Sequence, residues 1–459
     1  MSPTTQALLT FLQTWWVEIV CGVVIVAVVP LIAGYVVLVE RKLMADMQAR
    51  LGPMRVGPHG LLQPIADAVK LLIKEDIIPD DADKLIFWLA PVISMVAALT
   101  SMGAIAFGPT FQVARDINIG ILFVLGVSSL GFLGIILGGW ASNSHYSIIG
   151  AIRSTAQLIS YETAGGLAIV SGLLLSGTLS IRAIVDAQLK TGAWFVFLAP
   201  VAFFTYLVAS IAETNRAPFD LPEAESELVA GYMTEYSGFR WALYFLGEYA
   251  NMIVVGSVAT TLFLGGWLRP FPNVHWLNWV EALPAVFIAL VGVYCIYRAG
   301  TQPVAIQTLF MWAVALGCFA VAAVFGAPWL LHVLHRFGLA TPLNLDFIVP
   351  GLKGAFWFLL KVSAYIYVFM WLRFTLPRYR FDQLMHLGWY ILIPLAIVNV
   401  LAVGMALILE SEFGWNRWLA MVVTTIITIA VALFLVRLHD KRTAMASSAA
   451  AVTTDSYAG

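Results

Sequence analysis

The chain has 459 residues, of which 61% are hydrophobic and only 11% charged. Its mean hydropathy of +0.89 excludes an ordinary soluble protein and predicts a polytopic membrane protein. The net charge of -1 argues against a nucleic-acid partner, because no large basic surface is present to release counterions from a phosphate backbone. The cysteines Cys21, Cys295 and Cys318 stand singly in apolar runs, so we expect them to bind no metal.

About eleven segments are apolar over the roughly 20 residues that a helix needs to cross a bilayer. They lie near 16–39, 85–108, 118–140, 152–176, 192–212, 241–266, 282–299, 303–326, 354–375, 387–409 and 416–437. The predicted fold class is all-α, a transmembrane helix bundle that forms a single membrane domain over residues 1–440. The two segments between 282 and 326 have a short connection and could instead form a re-entrant hairpin. The polar tail 441–459 is predicted to be disordered.

The distribution of Lys and Arg predicts the orientation of the chain in the membrane. Basic residues collect in the connection 40–84, whereas 109–117 contains only Arg115. Because cytoplasmic loops carry the excess of positive charge, 40–84 is predicted to be cytoplasmic. Successive connections alternate between the two sides of the membrane. The connection 213–240 and the C-terminus are therefore predicted on the cytoplasmic side, and the N-terminus outside. The N-terminus lacks the basic region of a signal peptide, so we expect the first span to remain as an anchor.

Within the first connection, residues 62–73 repeat apolar side chains at helical spacing. This pattern predicts an amphipathic helix at the membrane interface.

Four ionisable residues interrupt or end the predicted spans: Glu40, Glu162, Glu248 and Lys361. A charge inside a membrane is unfavourable, so each is a candidate functional residue. The alternative is internal pairing, or snorkelling at a span end, which applies most to Glu40 and Lys361. Burial favours the neutral form of a carboxyl group, so glutamates at different depths could relay protons.

The segment 212–236, AETNRAPFDLPEAESELVAGYMTEY, concentrates acidic side chains beside a single base, Arg216. A helix beginning at Pro222 would place Glu223 and Glu225 in its first turn, where negative charge stabilises a helix N-terminus. That structural explanation does not cover the remaining carboxylates, because repeated like charges on one helical face repel. Crowded carboxylates titrate as a coupled set and respond to a change in a neighbouring charge. The acidic residues are Glu213, Asp220, Glu223, Glu225, Glu227 and Glu235.

Aromatic residues follow this segment, and isolated polar groups lie in the first connection. Together they suit a pocket for a large apolar ligand with a polar head. Ordinary packing, or an aromatic belt at the membrane interface, would give a similar stripe. The residues are Trp241, Tyr244, Phe245 and Tyr249, with Arg41, Arg50, His59 and Asp67.

Three further motifs accompany the acidic segment: ERKLMADMQARLGPMRVGPHGLLQPIADAVKLLIKED, QLISYE and LPRYRFDQLMHLGW. With them the chain strongly resembles the H-subunit family of proton-pumping NADH-quinone oxidoreductase, respiratory complex I, over about residues 15–270 and 350–410. The resemblance implies a membrane helix bundle at the joint between the redox arm and the membrane arm. Such a bundle forms much of the chamber through which quinone enters.

The resemblance also implies roles for individual residues. The quinone chamber would include Glu40, Arg41, Arg50, Asp67, Trp241, Phe245, Glu248 and Tyr249. The proton relay would include Glu162, Glu213, Arg216, Glu223, Glu225, Glu227 and Glu235. In some relatives Phe is usual where Trp241 stands, which is a mild departure.

According to the resemblance, the chain is not catalytic alone and binds no cofactor, and quinone is the substrate. Iron–sulfur clusters and flavin are expected in partner subunits. The expected partners are the hydrophilic quinone-site and iron–sulfur subunits, the adjacent small membrane subunits and the lipid of a bacterial inner membrane.

Length is the largest departure from the family pattern. Residues 275–345 have no counterpart in compact members and are expected to form an inserted hairpin that faces lipid or another subunit. Residues 411–459 add a span and the tail.

Three alternatives for the function stay open: a homologous subunit of a membrane-bound hydrogenase or another non-NADH electron-input complex, a secondary ion transporter, and a purely structural anchor. A transporter should show two related halves, and no repeat is evident.

Overall fold

A computed structural model gives the structure of the chain, and its described part is helical and contains no β-strand. This confirms the all-α prediction. The predicted tail 441–459 lies outside the described residues. The described ranges are 3–109, 117–220, 230–300, 305–336, 348–434 and residue 437.

The helices follow one another through short connections. In chain order they are α1 (Pro3–Met47), α2 (Gln63–Ile73), α3 (Lys84–Gly103), α4 (Gly120–Ser128), α5 (Gly131–Ala141), α6 (His145–Ser176), α7 (Ile181–Thr191), α8 (Phe195–Leu198), α9 (Pro200–Glu213), α10 (Gly238–Leu262), α11 (Leu283–Ala299), α12 (Ala305–Arg336), α13 (Ile348–Thr375), α14 (Phe381–His386), α15 (Ile393–Phe413) and α16 (Arg417–Phe434). The 3₁₀ turns are Pro58–Gly60, Gly231–Met233 and His275–Ala282, and the π-helical turn Leu387–Leu392 joins α14 to α15.

Within the described ranges, ten helical segments are long and apolar enough to cross a membrane, so the chain is a multi-pass membrane protein. Helices α4 and α5 together make one of them, and α14 to α15 make another. The predicted span at 192–212 differs, because it is divided into α8 and the 14-residue α9. Proline disfavours helical backbone in the residue before it, and Ala199 before Pro200 has φ -130° and ψ 63°.

Helix α10 is the most buried of the ten spans in the described chain. It packs against α1, α2, α3 and α13, so side chains on several of its faces meet other helices. Helix α5 also approaches it closely, because a Cβ on Gly138 would lie 2.1 Å from the Tyr244 hydroxyl oxygen. The central position of α10 brings the segment 238–262 into contact with several elements that form the candidate site, among them α1, α2, α3 and α9.

Helix α2 lies where the spacing of apolar residues predicted a helix, and its place at the membrane interface stays a prediction. Its apolar residues Ile65, Val69, Leu72 and Ile73 are exposed in the isolated chain, as expected of a helix at a membrane or subunit boundary.

Residues 275–345, which the sequence predicted to be an insertion, include two described helices, α11 and α12, that pack against each other. The segments Trp279–Ala299 and Gln307–Gly326, which include all of α11 and part of α12, are each long enough to cross a membrane, and this favours two full spans over a re-entrant hairpin. Helix α12 also contacts α13 and the turn Pro58–Gly60, so this helix pair touches the first connection of the chain.

Candidate functional site

A cavity of about 440 Å³ lies between α1, α2 and α10, and we call it the apolar cavity. Four predicted chamber residues line it: Arg41, Asp67, Trp241 and Phe245. Most of the remaining wall is aliphatic, with residues such as Leu31, Val37, Ile65 and Leu246. A volume of this size and an apolar lining with few polar groups are typical of small-molecule sites.

The polar groups of the apolar cavity meet at one corner. Arg41 Nη1 donates to Asp67 Oδ2 at 2.8 Å, and Gln63 Nε2 donates to Asp67 Oδ1 at 2.9 Å. The Arg41 and Asp67 side chains are 43% and 25% exposed, so their ion pair contributes little to stability. Its groups are accessible to a polar ligand head instead.

An aromatic stripe on α10, which we call the aromatic wall, consists of Trp241, Phe245 and Tyr249, and its first two rings line the apolar cavity. Trp241 and Phe245 stack with ring centroids 4.9 Å apart, and Phe245 and Tyr249 are also 4.9 Å apart. The four-residue spacing places these rings on one face of the helix.

Glu40 is buried beside this stripe and is 4% exposed. It accepts hydrogen bonds from the Tyr249 hydroxyl at 2.7 Å and from Arg373 Nη1. The carboxylate therefore joins α1, α10 and α13, and internal pairing accounts for this charge in the membrane. The sequence predicted Glu40 as a chamber residue, and the structure places it against Tyr249 and not among the lining residues of the apolar cavity.

Arg216 connects the aromatic stripe to a second carboxylate. Its guanidinium carbon lies 4.1 Å from the centroid of the Tyr249 ring, a cation–π distance. Its Nη2 lies 3.3 Å from Glu248 Oε2, and Glu248 Oε1 accepts from the Tyr232 hydroxyl at 3.0 Å. Arg216 is 4% exposed, so its charge acts in a low-dielectric surrounding. The Arg216 guanidinium that stabilises the Glu248 carboxylate thus also contacts the Tyr249 ring.

A smaller cavity of about 60 Å³, which we call the carboxylate cavity, is lined by Glu162, Glu213 and Glu248. Glu162 and Glu213 are close enough for their charges to interact. The sequence placed these glutamates in or beside different spans, and the fold brings all three to one space. Other polar residues of its wall are Ser94, Ser128, Thr214, Asn215, Tyr232, Tyr244 and Asn251.

Some predicted site residues lie elsewhere. Arg50 is exposed, and its Nε donates to Gln48 Oε1 at 2.7 Å. Glu235 is half-buried in the connection before α10. The remaining predicted relay residues, Glu223, Glu225 and Glu227, lie outside the described residues.

Lys361 confirms the alternative of internal pairing. Its ammonium donates to the carbonyl oxygens of Leu264, Gly266 and Leu268 at 2.6, 2.8 and 2.6 Å. It also lies 4.3 Å from the centroid of the Trp194 ring. These contacts satisfy all three N–H groups of the buried ammonium.

His59, which the sequence suggested as a polar group of the pocket, lies in the turn Pro58–Gly60. Burial, together with the nearby cations of Arg298 and Lys42, lowers the pKa of its imidazole. We therefore expect neutral His59 near pH 7.

Sequence reasoning missed two residues that complete the arrangement. Arg373 lies 333 positions from Glu40, and no local spacing indicates this contact. Asn215 has no charge or repeat to mark it, although it stands two residues after Glu213 in the acidic segment.

Comparison with known proteins decides the family. Residues 19–404 match the family model described as NADH dehydrogenase. The chain is 51% identical over 394 residues to the H 2 subunit of NADH-quinone oxidoreductase from Solibacter usitatus (strain Ellin6076), covering 84% of this chain and 95% of that relative. The chain belongs to the H-subunit family of NADH-quinone oxidoreductase.

Further members of the H-subunit family agree over a similar span. The H 1 subunit from Koribacter versatilis (strain Ellin345) is 48% identical over 402 residues, covering 84% of this chain and 89% of that relative. The H subunit from Rickettsia prowazekii (strain Madrid E) is 43% identical over 388 residues, covering 84% and 92%. The family resemblance inferred from the motifs is confirmed. As a member of this family, the chain is one component of an oxidoreductase complex and has other subunits as partners.

Proposed function

We propose that this chain forms the quinone chamber of a proton-translocating NADH:quinone oxidoreductase and couples quinone reduction to a buried glutamate relay. The observation that carries the proposal is the arrangement along α10. Trp241 and Phe245 line the apolar cavity, and Glu248, one turn further along the same helix, lines the carboxylate cavity. A change of charge in the first cavity therefore acts at short range on a carboxylate of the second.

The apolar cavity suits the body of a quinone. Its walls between α1, α2 and α10 are aliphatic and aromatic, and the Arg41–Asp67 corner supplies hydrogen-bonding groups for a polar head. In this proposal, electrons reach the quinone from iron–sulfur clusters and flavin held by hydrophilic partner subunits.

Coupling follows from the electrostatics of the second cavity. Reduction of the quinone places negative charge near the aromatic wall and creates a demand for protons there. Arg216 contacts both the Tyr249 ring and Glu248, so a change in this field alters how strongly Arg216 stabilises the Glu248 carboxylate. Because Glu162, Glu213 and Glu248 share one small cavity, protons redistribute among them as a coupled set. The relay continues towards adjacent membrane subunits.

We place the chain in a bacterial inner membrane with the N-terminus outside and the C-terminus cytoplasmic, on the distribution of basic residues. This orientation needs an odd number of crossings, so we propose that α8 and α9 together cross the membrane in addition to the ten longer segments. We propose that the inserted pair α11 and α12 faces lipid. Exposed apolar side chains such as Phe287, Leu290, Leu309 and Leu316 support this placement.

A photoreactive quinone analogue tests the chamber. In the assembled complex we expect it to label the segments 40–70 and 236–252, and excess quinone to prevent the labelling. Labelling that occurs only outside both segments would contradict the chamber.

Glu213→Gln and Glu162→Gln test the relay in the complex reconstituted into vesicles. We expect both changes to lower proton pumping, because glutamine cannot take up and release a proton. Glu412→Gln is the control, since Glu412 is exposed at the end of α15. If pumping and quinone turnover stay at the wild-type level in both relay variants, the relay proposal fails.

A further inference from the structure

Two asparagine side chains present unsatisfied acceptors to the carboxylate cavity. Asn215 and Asn251 both line it, and the Oδ1 atom of each is buried without a hydrogen-bond partner among the residues that the structure describes. Asn215 is 6% exposed, so bulk water does not solvate its amide. Buried polar oxygens in folded proteins are nearly always hydrogen-bonded, so an unpaired one needs an explanation, of which a bound water is one.

Their positions in the chain set these amides beside the carboxylates. Asn251 follows Glu248 by three residues on α10, so both side chains extend from the same side of the helix. Asn215 follows Glu213 by two residues, in the connection after α9. Its φ of +50° lies in the left-handed region, which asparagine adopts more readily than most residues.

The carboxylate cavity has the size and the chemistry to hold water. Its volume of about 60 Å³ exceeds the roughly 10–15 Å³ that one water molecule needs. Besides the two amides, its wall offers the Ser94 and Ser129 hydroxyls and three carboxyl groups. A water molecule in this space would find the two to four polar partners that stable binding requires.

We propose that the amide oxygens of Asn215 and Asn251 hold water molecules that connect Glu248 with Glu213 and Glu162. This inference rests on the proposed relay and identifies the residues that keep it continuous. A protonated carboxyl gives its proton to the nearest water, and that water passes one of its own protons to the next carboxylate. One O–H bond breaks and one forms at each step, so a single proton crosses the cavity and the water is regenerated.

An amide suits this role better than a further carboxylate would. The amide oxygen accepts a hydrogen bond and does not titrate, so it orients the O–H of a water without retaining the transferred proton. Asn215 and Asn251 are thus positioning residues for water, and the three glutamates are the groups that change protonation.

Paired substitutions of Asn251 test the inference in the whole complex reconstituted into vesicles. Asn251→Leu fills a similar volume with an apolar side chain, and Asn251→Ser opens space for a further water. Asn251 is preferred to Asn215, because leucine at the positive φ of Asn215 would add backbone strain. NADH oxidation with a hydrophilic acceptor that bypasses quinone serves as the control for assembly.

We expect Asn251→Leu to lower quinone-coupled proton pumping at least about tenfold and to enlarge its solvent isotope effect in D₂O. Asn251→Ser should retain pumping within about twofold of wild type, because water can replace the amide. A role in packing predicts the opposite order, since serine leaves a hole that leucine fills.

The inference is overturned if the leucine variant pumps normally, or if both variants lose pumping equally. Glu213→Gln in the same vesicles separates the two claims. When Glu213→Gln abolishes pumping and Asn251→Leu does not, the relay stands and the role of the asparagines is wrong. When neither change has an effect, the relay itself is wrong.

Discussion

Replacement of Glu40 by glutamine tests whether the buried ion pair holds α1, α10 and α13 together. The Glu40 side chain is 5% exposed and that of its partner Arg373 is 26% exposed. Glutamine keeps an oxygen that can accept the Tyr249 hydrogen bond, and it removes the charge that offsets Arg373. Breaking a buried pair by removing one partner costs about 3–5 kcal/mol. Because Arg373 is a quarter exposed and can reach water, we expect a smaller destabilisation than for a fully buried pair, about 2–3 kcal/mol.

Glu410→Gln is a matched control, because Glu410 also pairs with an arginine. Arg417 Nε donates to both of its carboxylate oxygens, at 2.9 and 2.8 Å. The two side chains are 28% and 35% exposed, so we expect a cost of about 0–1 kcal/mol. The same chemical change thus has different consequences at the two sites because the burial differs.

Thermal aggregation measures the difference. Detergent-solubilised membranes are heated, aggregates are removed, and the tagged chain that stays soluble is quantified. Glu40→Gln should lower the midpoint temperature of aggregation by several degrees, and Glu410→Gln should leave that temperature almost unchanged. Equal shifts in the two variants, or no shift for Glu40→Gln, would refute the role assigned to the buried pair.

Two further changes test the wall of the apolar cavity and the turn before α2. Trp241→Ala should raise the KM for quinone more than it lowers kcat, because it removes part of the aromatic wall. Trp140→Ala is the control, since Trp140 is exposed. If steady-state kinetics show the same change in KM for both variants, the role of Trp241 in the wall is wrong. Gly60→Ala should destabilise the turn by at least about 2 kcal/mol, since Gly60 has φ +76° and a Cβ would lie 2.2 Å from the Pro53 carbonyl oxygen. Faster proteolysis of the first connection would report that loss, and wild-type resistance would count against it.

Ten of the eleven predicted membrane spans could be predicted from the sequence, because length and hydropathy alone decide whether a helix can span a bilayer. The exception at 192–212 has a local cause in Pro200, which ends the helical path before it. The amphipathic helix α2 was likewise visible in the spacing of its apolar residues.

The candidate site could be predicted only in its composition. The glutamates and the aromatic stripe were identified because charge inside a span and rings at four-residue spacing are local signals. Which of them meet depends on how helices rotate and pack, so the Glu40–Arg373 contact and the common cavity of Glu162, Glu213 and Glu248 required the fold. The two asparagines carry no charge, and only their burial beside that cavity marks them.

Infrared difference spectroscopy tests the central claim most directly, because it detects the protonation of carboxyl groups when the quinone is reduced. The assembled complex is compared in its quinone-oxidised and quinone-reduced states, for wild type, Glu213→Gln and Glu162→Gln. We predict a carboxyl C=O signal in the wild type that decreases in both variants while quinone is still reduced. A wild-type complex without such a signal, or one whose signal is unchanged in both variants, would contradict the glutamate relay.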